Sequence, residues 1–355
     1  MIMTDSNQTR NRVREFRTSS GLTQAGLAER AGVSRTAVTA IEGERLVPSV
    51  AAALALAEAL ETTVEVLFGR GCKSDRPAVW AWDPHLSTQN YWQAEVGGQH
   101  WLYPAESAPM LTPLPDGRSS GESSASLLAS AARQTLVIAC CDPAAGLLAS
   151  EYAHAASQRM LVLNRSSRQA LELLRAGKVH LAGLHLATPE DTERNAKVVR
   201  ETLGSDYHLL RVAQWQEGIA AASSSRIKSV REAIRSKLRW VGREPGSGAR
   251  QCLDHLLGDR STPRRLARNH RGVAEAVYSG WADAGVCVQL VSAEAGLLFL
   301  PVQEEAYDLC IPNVFLDDPR VQALLKIVRS SNYRQTLANL PGYSTAQTGN
   351  LVGVN

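Results

Sequence analysis

The sequence contains no Cys-x-x-Cys pair and no cysteine–histidine spacing of the kind that holds zinc. Its six cysteines, two adjacent and the rest scattered through 355 residues, form no disulfide framework. Aromatic residues make up only 5% of the chain, and no Gly-Lys-Ser/Thr closes a Walker A loop. Long apolar runs are missing too: residues 50–60 are alanine-rich, interrupted by Glu58 and too short to span a bilayer. The N-terminal MIMTDSNQTR has none of the apolar core of a secretory signal. There is no internal repeat, and a net charge of +3 by itself says nothing about nucleic acid. These absences lead us to expect a reduced, cytoplasmic protein that engages no membrane and holds no metal.

What is present is the composition of a globular protein, 44% hydrophobic and 21% charged, on a chain long enough for two or more domains. Residues 10–69 are helix-rich. Residues 78–112 hold four of the seven tryptophans (Trp80, Trp82, Trp92, Trp101) and read as strands, with Gly97-Gly98 as a hairpin signal. Few basic residues interleave these aromatics, so we expect a small β unit bracing the two domains in preference to a nucleic-acid stacking surface. The stretch PDGRSSGESSAS (115–126) reads as a mobile linker. From Arg133 onward strand-like and helical runs alternate: TLVIACC, a helix near 145–156, MLVL, a helix at 167–176, VHLAGLHL. That alternation predicts an α/β domain with a largely parallel sheet. The expected domains are therefore an all-α unit over 10–69, a β-rich connector and linker over 70–132, and an α/β unit over 133–349.

Within the first unit, TQAGLAERAGVSRTAVTAIE (23–42) is tightly patterned. Thr23 can cap a helix that buries Leu27 and Ala28, Ala28 being small because a second helix crosses it. Gly32 permits a left-handed turn over Val33. Ser34 then caps a helix whose Val38 and Ile41 face inward, leaving Arg35, Thr36, Thr39 and Ala40 outside. Such a helix fits the DNA major groove, with Arg35 placed to read guanine or clamp phosphate. Residues 1–70 carry eight arginines against eight acids, but 10–35 hold six against Glu15 and Glu29. A bundle that pairs with protein instead of DNA is the alternative. Residues 10–69 resemble the lambda-repressor/Cro-type (XRE) helix-turn-helix family. The resemblance implies that Gln24 supports the recognition helix and touches DNA. It also implies that Ser34, Arg35, Thr36, Thr39, Ala40 and Arg45 contact bases or phosphates of double-stranded operator DNA. Ala40 departs from the longer polar residue frequent there, which weakens the case for a direct base contact.

The second unit contains GREPGSGAR (242–250), a strand running into a glycine-rich turn and then a helix. It lacks the third glycine of a dinucleotide fingerprint. What it offers is Gly246 and Gly248 for close backbone approach, the Ser247 hydroxyl, a helix N-terminus near Ala249, and Arg243 and Arg250 on either side. A carboxylate or small oxyanion suits such a cradle; a structural turn with solvated arginines is the alternative. Asp142, Ser166, Ser167 and His185 stand at successive strand ends, where ligands bind in open α/β sheets. Cys140 and Cys141, at a strand end before a helix, suggest a redox sensor as another reading, against that of buried small hydrophobes. TPRRLARNHRG (262–272) reads as a solvated helical face.

The stretches LRAGKVHLAGLHL, QEGIAAA, WVGREPGSGARQCLDHLL, VYSGWADAGV, YDLCIP and LPGYSTAQTG resemble the type II periplasmic-binding-protein (PBP) fold over 133–349. The likeness is to that fold as it occurs beside helix-turn-helix domains in bacterial regulators, LysR-type effector domains among them, and attached to molybdopterin-biosynthesis proteins. It implies two lobes joined by strands near 216–222 and 306–312, closing on a small-molecule or oxyanion effector such as molybdate. Its cleft candidates are Asp142, Ser166, Ser167, His185, Arg243, Gly246, Ser247, Gly248, Arg250 and Asp283. No cofactor is expected beyond that ligand. The expected function is a homodimeric, ligand-responsive transcription regulator on a palindromic operator, a non-enzyme whose sign of action is left open. The alternatives are the thiol sensor, an enzyme of molybdenum-cofactor or anion metabolism with a DNA-binding appendage, and a repressor whose C-terminal half only dimerises. The sequence shows no nucleophile–base pair to favour the enzyme.

Overall fold

The structure, a computed structural model, describes residues 11–68, 78–84, 89–106, 113–119, 129–156, 158–258 and 263–354. The N-terminal ten residues, much of the 70–77 region and most of the serine/glycine stretch lie outside the described residues. The chain divides into two compact units, Met1–Pro77 and Ala78–Asn355.

The first unit is a helical bundle of α1 (Val13–Ser19), α2 (Gln24–Arg30), α3 (Arg35–Glu42), α4 (Val50–Ala59) and α5 (Val64–Phe68). Its helix starts are fixed by hydroxyl caps: Thr23, Ser34 and Ser49 accept from the N–H groups of Gly26, Ala37 and Ala52 at 3.0, 3.1 and 3.2 Å. Gly32, at φ +62°, makes the turn between α2 and α3, a conformation in which Cβ is unfavourable. Leu27, Val38, Ile41 and Leu56 are almost fully buried with Val13 and Leu67, each contributing roughly 1.5–3 kcal/mol. Val33 packs on this core.

In the second unit, β1 (Val79–Trp80), β2 (Gln89–Val96), β3 (Gln99–Pro104) and β4 (Gly117–Ser119) form a small sheet in the order β1-β3-β2-β4. Gly97 and Gly98, at φ +57° and +76°, form the two-residue hairpin turn. Trp92, Ala94, Val96 and Tyr103 pack from this sheet into the same core as Leu161, Ala170 and Leu171. The Tyr103 hydroxyl donates to the Lys178 carbonyl at 2.6 Å, so the tryptophan-rich segment docks on the α/β domain.

That domain runs α6 (Ala129–Arg133), β5 (Thr135–Cys140), α7 (Ala145–Ala156), β6 (Arg159–Asn164), α8 (Ser167–Arg175), β7 (Leu181–Ala187) and α9 (Arg194–Leu203). It continues through β8 (Tyr207–Ala221), α10 (Val230–Arg235), β9 (Trp240–Arg243), α11 (Gly248–Leu257), β10 (Arg265–Ala267), α12 (His270–Tyr278) and β11 (Ala284–Val288). It closes with α13 (Gln289–Glu294), β12 (Leu298–Pro312), α14 (Pro319–Val328), α15 (Ser331–Ala338), β13 (Tyr343–Ser344) and β14 (Leu351–Gly353). The main path of the sheet is β10-β9-β11-β8-β12-β7-β5-β6. Strands β5 and β7 are buried along their whole length, as strands covered on both faces must be.

β8 and β12, 15 residues each, pair antiparallel from Tyr207 opposite Pro312 to Ala221 opposite Leu298. They carry β5–β7 on one half and β9–β11 on the other, giving two lobes. Register then directs the strand ends. Ala187 closes β7 opposite Ala306, and Val288 closes β11 opposite Glu217, both near the middle of the crossing pair. The carboxyl ends of both lobes therefore converge there. The TPRRLARNHRG segment, expected as a solvated helical face, is instead strand β10 followed by the start of α12. Asn269 caps that helix by accepting from the Gly272 N–H at 2.8 Å, and His270 is completely buried.

Candidate functional sites

In the helical unit, α3 presents Arg35 and Thr36 fully to solvent, with Thr39 and Ala40 half-buried beside them. Ser34 spends its hydroxyl on the helix cap and lies 2.9 Å from the Thr36 hydroxyl. Gln24 links the two helices: its amide nitrogen donates to Glu42 at 2.8 Å, and its carbonyl accepts from Thr39 at 3.1 Å. Arg17 grips the same Glu42 with two bonds of 2.5 and 3.1 Å. Arg45 is exposed just beyond the helix.

Where the two lobes meet, Cys141, Asp142, Ser166, Ser167, His185 and Arg243 are all buried. Cys141 Sγ lies 2.9 Å from His185 Nε2, and His185 Nδ1 lies 2.7 Å from Glu305. Glu305 also accepts from Trp215 Nε1 at 3.2 Å and from Gln303 at 2.9 Å. Burial works against a charged His185, but the Cys141 sulfur and the Glu305 carboxylate outweigh it and hold its pKa well above the ordinary histidine range. Burial likewise opposes ionised Glu305, yet the contact with His185 keeps its pKa low. Glu217, buried beside Glu305, is pushed well up and stays protonated. Burial, then Arg243, depress His270 well below the ordinary value, so it is a neutral imidazole. Trp215 forms the floor, stacked on Tyr307 with centroids 4.9 Å apart.

Glycine turn and histidine approach closely. A Cβ at Gly248 would lie 2.7 Å from the His185 ring, and one at Gly246 2.9 Å from Arg168. Ser167 receives the His185 N–H at 3.3 Å. Asp142 accepts from the Tyr343 hydroxyl at 2.6 Å and the Ala144 N–H at 2.9 Å. Three expected residues serve the scaffold instead. Ser247 caps α11 and donates to the Glu244 carbonyl at 3.1 Å. Arg250 pairs with Asp254 at 2.7 Å along α11 and donates to the Arg243 carbonyl. Asp283 precedes β11 at the end away from the convergence and pairs with Arg239 at 2.5 Å. Among the described residues it is Cys141, not Cys140, that meets an imidazole, and burial pushes the Cys140 thiol up to about 12.

Among the described residues, five buried polar atoms of this region have no hydrogen-bond partner: Ser166 Oγ, Glu217 Oε1, Arg243 Nη1 and both His270 ring nitrogens. Arg243 is 1% exposed, and Glu244 holds only its Nε and Nη2. Each such orphan costs about 1–3 kcal/mol. By contrast, a pocket of about 560 Å³ near Thr188, Arg211 and Asp308 is lined by groups that satisfy one another, Arg211 with Asp308 at 2.6 Å and Asn195 with Asp308 at 2.8 Å. The sequence reading missed Glu217, Glu305, Trp215 and His270. An acid next to the apolar run GIAA in WQEGIAA was the available signal for Glu217; Glu305, among the polar residues of VQEEAYD, carried none. The fold also assembles what chain spacing did not show: a thiol–imidazole–carboxylate line, and Cys141, His185 and His270 donor atoms all within 4.8 Å of one another.

Residues 10–67 match the profile of a helix-turn-helix domain, and residues 149–329, half of the chain, match that of the PBP superfamily domain. The chain belongs to the PBP superfamily. It is 27% identical over 230 residues to the uncharacterised protein YvgK of Bacillus subtilis (strain 168), covering 62% of this chain and 74% of that one. It is 31% identical over 119 residues to an uncharacterised protein in the 5′ region of a 2Fe-2S ferredoxin gene of Clostridium pasteurianum, covering 32% and 92%. The structure of the tungstate ABC transporter from Geobacter sulfurreducens overlays 58% of this chain and 98% of its own with a TM-score of 0.46 at 13% identity. A helix-turn-helix domain joined to a PBP domain is the architecture of a ligand-responsive regulator more than of an enzyme. Among the described residues no helix is long and apolar enough to cross a membrane.

Proposed function

We propose that this chain is a transcription regulator whose PBP domain closes on a small oxyanion or carboxylate between its lobes, with Arg243 and Ser166 as the principal ligand contacts. The observation that supports this reading is the buried, unpartnered polar atom on each of those two residues, one from each lobe. A bound anion would satisfy the arginine and the hydroxyl at once, and it would hold the closed form against the open one. Gly246 and Gly248 let the turn approach this close; Ser247, Arg250 and Asp283 act as scaffold. Molybdate is the first oxyanion to try. The DNA-reading heads act as a homodimer on a palindromic operator, since one recognition helix spans few base pairs; sedimentation of the operator complex at two chains per site is the corresponding result.

All seven tryptophans lie in the second unit, so tryptophan fluorescence reports its unfolding in the full chain. Thermal unfolding with molybdate, phosphate and small carboxylates should show stabilisation that grows with concentration, about 2.7 kcal/mol at a hundredfold excess over Kd. It should vanish in Arg243→Ala and shrink in Ser166→Ala. No shift with any anion sinks the reading. A second reading, oxidant sensing by Cys141, is favoured only by the 2.9 Å Cys141–His185 contact; DNA binding that responds to peroxide equally in Cys141→Ser would dispose of it.

A further inference from the structure

The structure assigns Cys141, His185 and His270 to a binding site for a divalent cation of the zinc class. Their donor atoms lie within 4.8 Å of one another, close enough for one ion to bridge all three with modest side-chain adjustment. A second observation is independent of that spacing. His270 is 0% exposed, and among the described residues neither ring nitrogen has a hydrogen-bond partner. A simple thiol–imidazole hydrogen bond accounts for the Cys141–His185 contact but leaves His270 unexplained. Ligation of a cation accounts for both.

The surroundings fit the same occupant. His185 directs its second nitrogen to Glu305 at 2.7 Å, and Glu305 is itself held by Trp215 and Gln303. A carboxylate behind a ligating histidine fixes ring orientation and raises ligand basicity, the arrangement common behind zinc. One thiolate with two imidazoles selects zinc-class ions over magnesium or calcium, which want oxygen. On binding, Cys141 Sγ and His185 Nε2 release to solvent whatever protons they carry, Nδ1 keeps its proton on Glu305, and the freed electron pairs of sulfur and nitrogen go to the ion. The Arg243 charge opposes a cation nearby, while the ionised Glu305 carboxylate offsets it. Three protein ligands leave a coordination position open. That the anion proposed above takes this position rests on the preceding reading; the cation site itself does not.

The test uses the full chain, reduced, stripped with chelator and titrated with Co(II). The expected result is uptake of one Co(II) per chain with a thiolate-to-cobalt charge-transfer band, displaced by Zn(II). Cys141→Ser abolishes the band, His270→Gln weakens uptake, Glu305→Gln weakens it roughly ten- to a hundredfold, and Cys310→Ser leaves it unchanged. X-ray absorption of the zinc-loaded wild-type chain, with one sulfur and two imidazole neighbours expected, needs no variant and so survives any folding defect. No saturable cobalt band, a band that persists in Cys141→Ser, or a shell without sulfur overturns the site. Neither DNA nor anion enters these measurements. Cobalt uptake without an anion-induced thermal shift therefore rejects only the anion reading, and the reverse rejects only the cation site.

Discussion

A methyl group at Gly248 would stand 2.7 Å from both the ring and the carbonyl of His185, whereas one at Gly26, inside α2, meets Thr23 Oγ1 at 3.4 Å and Leu22 Cδ2 at 4.0 Å, both ordinary contacts. The first clash is with backbone and a buried ring that cannot yield, so Gly248→Ala should destabilise the second unit by about 1–3 kcal/mol in tryptophan-detected urea unfolding. Gly26→Ala, in a helix interior with room, should stabilise the first unit by up to about 1 kcal/mol by circular dichroism. Equal effects would mean that the close approach at the glycine turn is not a packing constraint. His180 makes a different argument at the same scale. It is fully buried, its Nδ1 accepts from the Val137 N–H at 3.0 Å, and burial followed by Arg320 brings its pKa down to about 3 from 6.5. Between those two values the unfolded chain binds a proton that the folded chain refuses, so stability is lost as pH falls through that window. Neutral, buried His270 adds in the same direction, while His185, with a raised pKa, contributes stability at low pH that is lost as pH rises through its folded value. Buried Glu217, with its raised pKa, acts in the opposite sense over the upper part of this window, so the test is the difference between chains: from pH 6.5 toward 3 the urea midpoint of His180→Gln should lose less than that of the wild type, and parallel profiles would refute the neutral histidine.

At the scale of elements, α2 and α3 were legible because their information is local. Caps at Thr23 and Ser34, the glycine at 32, and apolar residues at helical spacing all sit within twenty residues and reinforce one another. The turn at 242–250 was legible as strand, turn and helix for the same reason. Which of its polar groups face the junction was not. Ser247 and Arg250 answer to their own helix, through a cap and an i,i+4 pair, before any ligand. Glu305 meets His185 only because β12 lies beside β7 in a particular antiparallel register, 120 residues apart in sequence. His270 was hidden among arginines whose density suggested solvent. Nothing local encodes that convergence. The recognition helix gives a prediction that local reading does support. Arg35 is the first residue of α3 and exposed, the position from which recognition helices reach base edges. Arg35→Ala should cost roughly 1–3 kcal/mol on a selected operator and relax preference at one base position, with the salt dependence of binding retained. A uniform loss across sequences with a reduced salt slope would make it a phosphate clamp instead.

For the whole molecule, the question is whether two compact units, each with its own core, communicate. Two cores predict two unfolding transitions in calorimetry, and only the one that tryptophan reports should move when anion alone is added. Operator DNA alone should move only the other, followed by the helical signal. Regulation requires more than two independent binders: the anion must change DNA affinity, and then DNA must change anion affinity by the same factor, a coupling of about 1–3 kcal/mol in typical cases. The anion-induced shift of the tryptophan transition should therefore differ, by that coupling, between free chain and operator-bound chain. The sign of the difference tells whether the liganded form is the one that holds DNA. An identical shift with and without operator would show a chain that binds both partners without relaying either, and the regulator reading would fail even with both sites intact.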